Sequence, residues 1–403
     1  MDYKLAFSTF TIFYTVFDHI SWSNPTMAGW ISNGCILLFI GLNYRIYKNV
    51  KPNNYTGLNV CALIFSVIII YSGYQNANLS FDIRTWDGQL VKTITATRSD
   101  HAVYEALKFF SYLIYFQYLN RVNKDRLFLK YFFYLFMAYT MVSDVNAIVY
   151  NSSDGSGYLV GDKFYVCYNN IMLAALYYML HPVIEHDITS KRRLKFILFF
   201  SLVISLKTQC STAVIGSVIM YFLIFKTKVT WKVKLYKIQT YLLFLFIFNI
   251  LFFFFTAAFI NNPIMEFIIV DILGEDLTLT GRLGIYAALA NLLQDCPLWG
   301  YGLGNAHLFT KMSGIGPNAQ NGLFNLMLEV GILGCIAYVL MMIKMLKLSM
   351  GNRFSYPIIC LIYTMLVLSS IEITFSIVTT VMYMMLVLNN NPYSSQRSIT
   401  IRL

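Results

Sequence analysis

The sequence predicts an all-α polytopic membrane protein, and three observations predict it. Hydrophobic residues make up 58% of the 403-residue chain and charged residues only 12%, a balance that would leave a soluble domain insoluble. The apolar residues gather into runs of roughly 17 to 25, the length that crosses a hydrocarbon core as helix. The basic residues between those runs alternate heavily from one side to the other, as they do when Lys and Arg are retained on the cytoplasmic face.

Twelve such runs lie near residues 4–20, 27–46, 57–74, 101–119, 129–150, 164–181, 193–207, 210–226, 238–260, 320–343, 355–371 and 373–389. With the N-terminus inside, the inner segments hold 22 of the 30 Lys and Arg residues, the outer segments hold seven, and Lys108 lies within a span. Both termini are therefore expected in the cytoplasm. The net charge of +11 is explained by this asymmetry, which removes the reason to expect a nucleic-acid partner. The first apolar run lacks a small-residue cleavage site and reads as a span rather than a signal peptide. Seven cysteines sit mainly inside apolar runs without a repeated spacing, so neither a disulfide framework nor a metal site is expected.

In chain order, residues 1–260 read as spans one to nine with short loops, 261–319 as one long outer loop, and 320–403 as spans ten to twelve with a cytoplasmic tail. The loop from Gln75 to Asp100 carries mixed charge, including Arg98, and reads as a solvated connector. His101, Glu105 and Lys108 share a helix face and read as a structural ion pair turned toward protein. Asn151 to Lys163 reads as a flexible turn. His181, Glu185 and His186 have a metal-like spacing, but Pro182 interrupts them. Spans seven and eight pivot at Lys207–Ala213, where Lys207 is either a site cation or a snorkelling lysine. Tyr241 to Ile260 reads as lipid-facing helix.

The outer loop is far longer than an ordinary connection and too apolar to be disordered. Leu283 to Leu293 has the spacing of a short amphipathic helix able to lie on a membrane. The run Pro297-Leu298-Trp299-Gly300-Tyr301-Gly302-Leu303-Gly304 follows. Its glycines superficially suggest a dinucleotide fingerprint, but no β-strand precedes them. They read instead as a turn whose backbone can approach a sugar closely, with Trp299 and Tyr301 as stacking faces, Gly302 and Gly304 as contact points, and an interfacial aromatic anchor as the alternative. Next come His307, the amide-rich Asn318, Gln320 and Asn321, and the helix bearing Glu329-Val330-Gly331-Ile332-Leu333-Gly334.

This succession of Arg282, amphipathic helix, P-x-x-G-x-G-x-G turn, Asn-rich helix start and E-x-G-x-x-G resembles the signature of the O-antigen polymerase and O-antigen ligase superfamily. It covers about 55 residues. The ligases carry a His where this chain has Pro317-Asn318-Ala319-Gln320-Asn321, which favours the polymerase branch. The resemblance implies a GT-C-like membrane glycosyltransferase that joins undecaprenyl-pyrophosphate-linked oligosaccharides at the periplasmic face of the bacterial inner membrane. It further implies independence of metal and cofactor, and contact with membrane lipids and a chain-length-regulating membrane protein.

Such chemistry demands cations for the leaving pyrophosphate. Arg282 offers a donor fork beside a helix N-terminus, and Lys207 and Arg98 are the further candidates. His307 is the expected general base, Asn318, Gln320 and Asn321 orient hydroxyls, and Glu329 serves as a base in a watery cavity or as a helix-holding partner. Two alternatives compete: a ligase moving finished glycan to lipid A-core, and a flippase or transporter of lipid-linked sugars. The one-sided placement of polar residues and the lack of an internal repeat argue against transport.

Overall fold

The computed structural model describes residues 2–17, 25–48, 55–84, 90–96, 99–150, 156–181, 188–251, 289, 291–312, 319–350 and 352–388. The described chain is dominated by helix, as expected. The helices are α1 (Tyr3–Val16), α2 (Pro25–Leu42), α3 (Tyr44–Lys48), α4 (Thr56–Gln75), α5 (Ser99–Arg121), α6 (Asp125–Val149), α7 (Lys163–Leu180), α8 (Ile188–Lys207), α9 (Ser211–Phe225), α10 (Val229–Leu235), α11 (Ile238–Leu245), α12 (Ala306–Met312), α13 (Gly322–Ser349), α14 (Tyr356–Leu368) and α15 (Ile377–Met384).

The apolar pattern sorts these helices by depth. A helix that is hydrophobic all round belongs inside, and α7 and α14 are buried on nearly every side, packed against each other, α8 and α9. Helices α4 and α6 are one-sided. On α4, Val60, Leu63, Ile64, Val67, Tyr71 and Tyr74 form an exposed apolar stripe at helical spacing, while Leu58, Ala62, Phe65 and Ile69 are buried. An exposed apolar stripe with a buried opposite face is the signature of contact with lipid rather than water. Phe13 of α1 and Phe17 at its C-cap interleave with Phe132, Phe136 and Tyr139 of α6 and hold that side of the bundle.

Three helices, Thr56–Gln75, Asp125–Val149 and Gly322–Ser349, are long and apolar enough to cross a membrane; Ser211–Phe225 with Val229–Leu235 makes a fourth if that pair, bent by 118°, is one span. The twelve expected runs thus do not all become full-length spanning helices among the described residues. Several are shorter: Tyr356–Leu368 has 13 residues, which at 1.5 Å each reach roughly 20 Å against a core of about 30 Å. Such a helix is accommodated by burial among its neighbours.

Two expected loops contain strand. Ser80–Arg84 (β1) pairs antiparallel with Leu90–Thr95 (β2), in the register Ser80 opposite Thr95 and Asp82 opposite Thr93. The β-branched run Val91, Thr93, Ile94, Thr95 favours this over a plain connector. Ser156–Tyr158 (β3) pairs with Gly161–Asp162 (β4), and Asp162 then caps α7 by accepting from the amides of Phe164 and Tyr165. The α8–α9 pivot is present, with Gln209 in the left-handed region at its centre.

The expectation that Tyr241 to Ile260 simply faces lipid is corrected for its described part. Tyr241, Leu245 and Asn249 recur every four residues and are buried, and the helix widens into a π-turn at Phe246–Leu251 around Asn249. A buried amide needs partners: Asn249 Oδ1 accepts from Ser369 Oγ at 2.8 Å, and the Asn249 backbone carbonyl accepts from Asn321 Nδ2 at 3.4 Å, while Asn249 Nδ2 has no hydrogen-bond partner among the described residues.

Candidate functional site

The centre of the candidate site is a break in α13. Gly331 has φ 67° and ψ −177°, a conformation essentially restricted to glycine, in the middle of a 28-residue helix. A break frees backbone groups that cannot be left unpaired inside a membrane protein. The glycine turn supplies the partners. The Leu333 amide, which an unbroken helix would direct to the Glu329 carbonyl, donates to the Leu298 carbonyl at 3.1 Å. The Tyr301 amide donates to the Leu328 carbonyl at 2.7 Å, and the Gly302 amide donates to the Glu329 carbonyl at 2.9 Å.

Such close approach explains the glycines. A Cβ on Gly300 would lie 2.4 Å from the Gly331 nitrogen, and one on Gly331 would lie 2.1 Å from the Leu298 oxygen. Gly300, Gly302 and Gly304 all have positive φ. A third element seals the joint: Ser72 Oγ of α4 donates to the Glu329 carbonyl at 3.0 Å, and Asn76 Nδ2 donates to the Gly300 carbonyl at 3.2 Å. Ser72, Asn76 and Asn305, which donates to the Tyr301 carbonyl at 2.9 Å, are missing from the sequence expectations. The signal for the first two was available, as polar residues one helical turn apart at the end of an apolar span.

The side chains around this joint fall into two groups. Glu329 is half-buried and turns its carboxyl to the Gly304 backbone amide and the Asn325 side chain as hydrogen-bond partners, which ties the end of the turn to α13. His307, one turn later on α12, places Nδ1 2.7 Å from the Gly304 carbonyl. A carbonyl can only accept, so this contact assigns the proton to Nδ1. In the neutral ring, Nε2 then carries the lone pair, the arrangement a general base requires. Strand β1 packs beside α12.

Tyr301 and Trp299 are committed to packing. Tyr301 is 8% exposed and stacks on Phe309 with ring centroids 3.6 Å apart, in a small cluster with Leu289, Ala306, Phe324 and Leu328. Burial pushes its phenol up to about 12. Trp299 sets its ring edge-on to Tyr71 at 5.3 Å, on the lipid-facing stripe of α4. Leu289 is fully buried and Leu292 and Leu293 pack on the same cluster; the rest of the expected amphipathic helix, residues 283–288 and 290, lies outside the described residues.

At the start of α13, Asn321 is fully buried and caps the helix by accepting from the Phe324 amide at 3.1 Å, with its nitrogen directed to Asn249. Gln320 precedes it in the left-handed region, strained for a non-glycine residue. Lys207 is exposed at the end of α8; beside the pivot, Lys163 Nζ donates to the Gln209 carbonyl at 3.0 Å. The described structure thus unites Trp299, Tyr301, Gly302, Gly304, His307 and Glu329 in one unit, with Gln320 and Asn321 at the other end of the same helical segment. No described hydrogen bond or ion pair joins Lys207 to that unit. Arg282, Asn318 and Arg98 lie outside the described residues, as do Glu185 and His186.

No family model, no curated protein and no solved structure matches the chain.

Proposed function

We propose that this protein is a membrane glycosyltransferase of the O-antigen polymerase type, with twelve spans, cytoplasmic termini, and a site on the periplasmic face of a bacterial inner membrane. One observation carries the reading: the two halves of the signature, Pro297–Gly304 and Glu329–Gly334, interlock through two backbone hydrogen bonds, and a third joins Tyr301 to the adjoining Leu328. The turn thereby becomes a rigid platform between α4 and α13, and His307, one turn past it, is held to its end through the Gly304 carbonyl; Arg282 precedes it in the sequence.

The reaction follows from these parts. The acceptor sugar hydroxyl attacks the anomeric carbon of the donor, its proton passes to His307 Nε2, and the bond to the polyprenyl pyrophosphate breaks. Arg282 and a second cation, Lys207 or Arg98, neutralise the departing pyrophosphate. No step calls for a metal or an organic cofactor. A chain-length-regulating membrane protein is the expected partner.

A second reading, transport of the lipid-linked oligosaccharide, draws support from one observation. Lys108 Nζ lies 2.5 Å from Glu105 Oε1 within α5, and both side chains are nearly excluded from solvent, an uncommon arrangement in a membrane helix outside pumps and transporters. Analysis of surface glycan from a deletion strain separates the readings. Single repeats on the lipid A-core indicate a lost polymerase, bare core with polymer on its carrier a lost ligase, and lipid-linked repeats held in the cytoplasm a lost flippase.

A further inference from the structure

At the opposite end of the bundle from the glycine joint, four lysines converge on one cavity. Lys191 and Lys195 come from the first turns of α8, Lys226 from the end of α9 and Lys232 from α10. The 118° bend between α9 and α10 folds Lys232 back over the cavity, which measures about 350 Å³. Aromatic rings hold the ammonium groups in place: Lys195 Nζ stands 5.6 Å from the Phe225 ring centre and Lys232 Nζ 5.0 Å from that of Tyr356. Among the described residues no carboxylate lies within ion-pair distance of Lys195, Lys226 or Lys232.

This basic cavity does not end at the membrane surface. Lys195 and Tyr221 also line a second cavity of about 310 Å³, an almost wholly apolar groove between α8 and α9 walled by Leu198, Phe199, Val218 and Phe222. Phe199 and Phe222 are more than half exposed on the lipid side of the bundle. A retained positive charge alone would spread lysines around the rim of the bundle. Here the charges point into one hollow that continues as a hydrocarbon-lined groove. A soluble phosphate would use only the first part, and a neutral lipid only the second.

We propose that the Lys191–Lys195–Lys226–Lys232 cavity and the α8–α9 groove together form a binding site for one anionic phospholipid, its phosphate among the lysines and one acyl chain between the helices. The site is independent of the enzymatic reading. Short helix α10, with Trp231 and Val229 exposed, lies where an interfacial helix would close over the headgroup.

The test uses the full chain, delipidated in detergent and titrated with phosphatidylglycerol or phosphatidylcholine under native mass spectrometry. Wild type is expected to retain one phosphatidylglycerol in preference to phosphatidylcholine. Lys195→Ala/Lys232→Ala should weaken that binding roughly tenfold to thirtyfold, the scale set by two interfacial lysines. Val218→Trp, which fills the groove and removes no charge, should weaken it too, while Lys130→Ala should not. Inorganic diphosphate should fail to displace the lipid. Equal binding of the two lipids, a double lysine variant indistinguishable from Lys130→Ala, or full displacement by diphosphate would each overturn the proposal.

Discussion

Gly300 and Gly331 occupy space that neither could share with a side chain, since a Cβ on Gly300 would stand 2.4 Å from the Gly331 nitrogen. The two residues are 31 positions apart, and one lies in a loop while the other breaks a membrane helix. Their contact joins the glycine turn to the helical scaffold.

Alanine at either glycine should therefore destabilise the protein, by at least about 2 kcal/mol, from the left-handed backbone and the steric overlap together. Because both substitutions break one joint, the double variant should cost clearly less than the sum of the singles. Thermal unfolding in detergent measures this. Strict additivity, or unchanged melting of Gly331→Ala, would mean that the joint does not hold the loop.

Glu329 separates a holding role from a chemical one. Glu329→Gln keeps an oxygen for the Gly304 amide and should retain most activity. Glu329→Ala leaves that amide unpaired, at a cost of about 1–3 kcal/mol, and should lose activity together with stability. A Gln variant that melts normally yet forms no polymer would make the carboxylate the base.

For His307, with Nδ1 held by Gly304, His307→Gln should lower turnover by about a hundredfold or more while the protein still accumulates. Asn318→Ala should cost less. Normal polymerisation by His307→Gln together with failure of Asn318→Ala would leave only hydroxyl orientation as the requirement.

Asn249 is the structural counterpart. Replacing it by Leu removes the side-chain acceptor of the buried Ser369 hydroxyl and should destabilise the protein by about 1–2 kcal/mol, while the Asn321 bond to the backbone carbonyl of residue 249 persists. A lipid-facing residue would tolerate leucine without loss, so unchanged unfolding would restore the lipid-facing reading of this helix.

The membrane-helical class was legible because apolar run length and charge asymmetry act through the bilayer, whatever the helices pack against. The depth of each helix was not, since α14 and α4 are both strongly apolar, yet one is buried on nearly every side and the other on one face only. The glycine turn was legible as a special backbone, because three alternating glycines need a steric reason. Its docking on Gly331 was not, because a backbone-to-backbone contact leaves no side-chain pattern. Tyr301 shows the same limit: an aromatic in a loop reads as an exposed face until Phe309 is found against it. Ser72, Asn76 and Asn249 could have been found by asking what each polar residue in an apolar run must bond to.

The central claim is tested most directly by reconstituting the purified protein in liposomes with an undecaprenyl-pyrophosphate-linked oligosaccharide and following both products. Wild type should yield a ladder of lengthened glycans with release of undecaprenyl pyrophosphate, Arg282→Lys a reduced ladder, and Arg282→Ala none at equal protein level, because a point charge replaces a bidentate donor only in part. An intact ladder from Arg282→Ala would remove that residue from the site, and unaltered substrate with the wild-type protein would contradict the assignment as a polymerase.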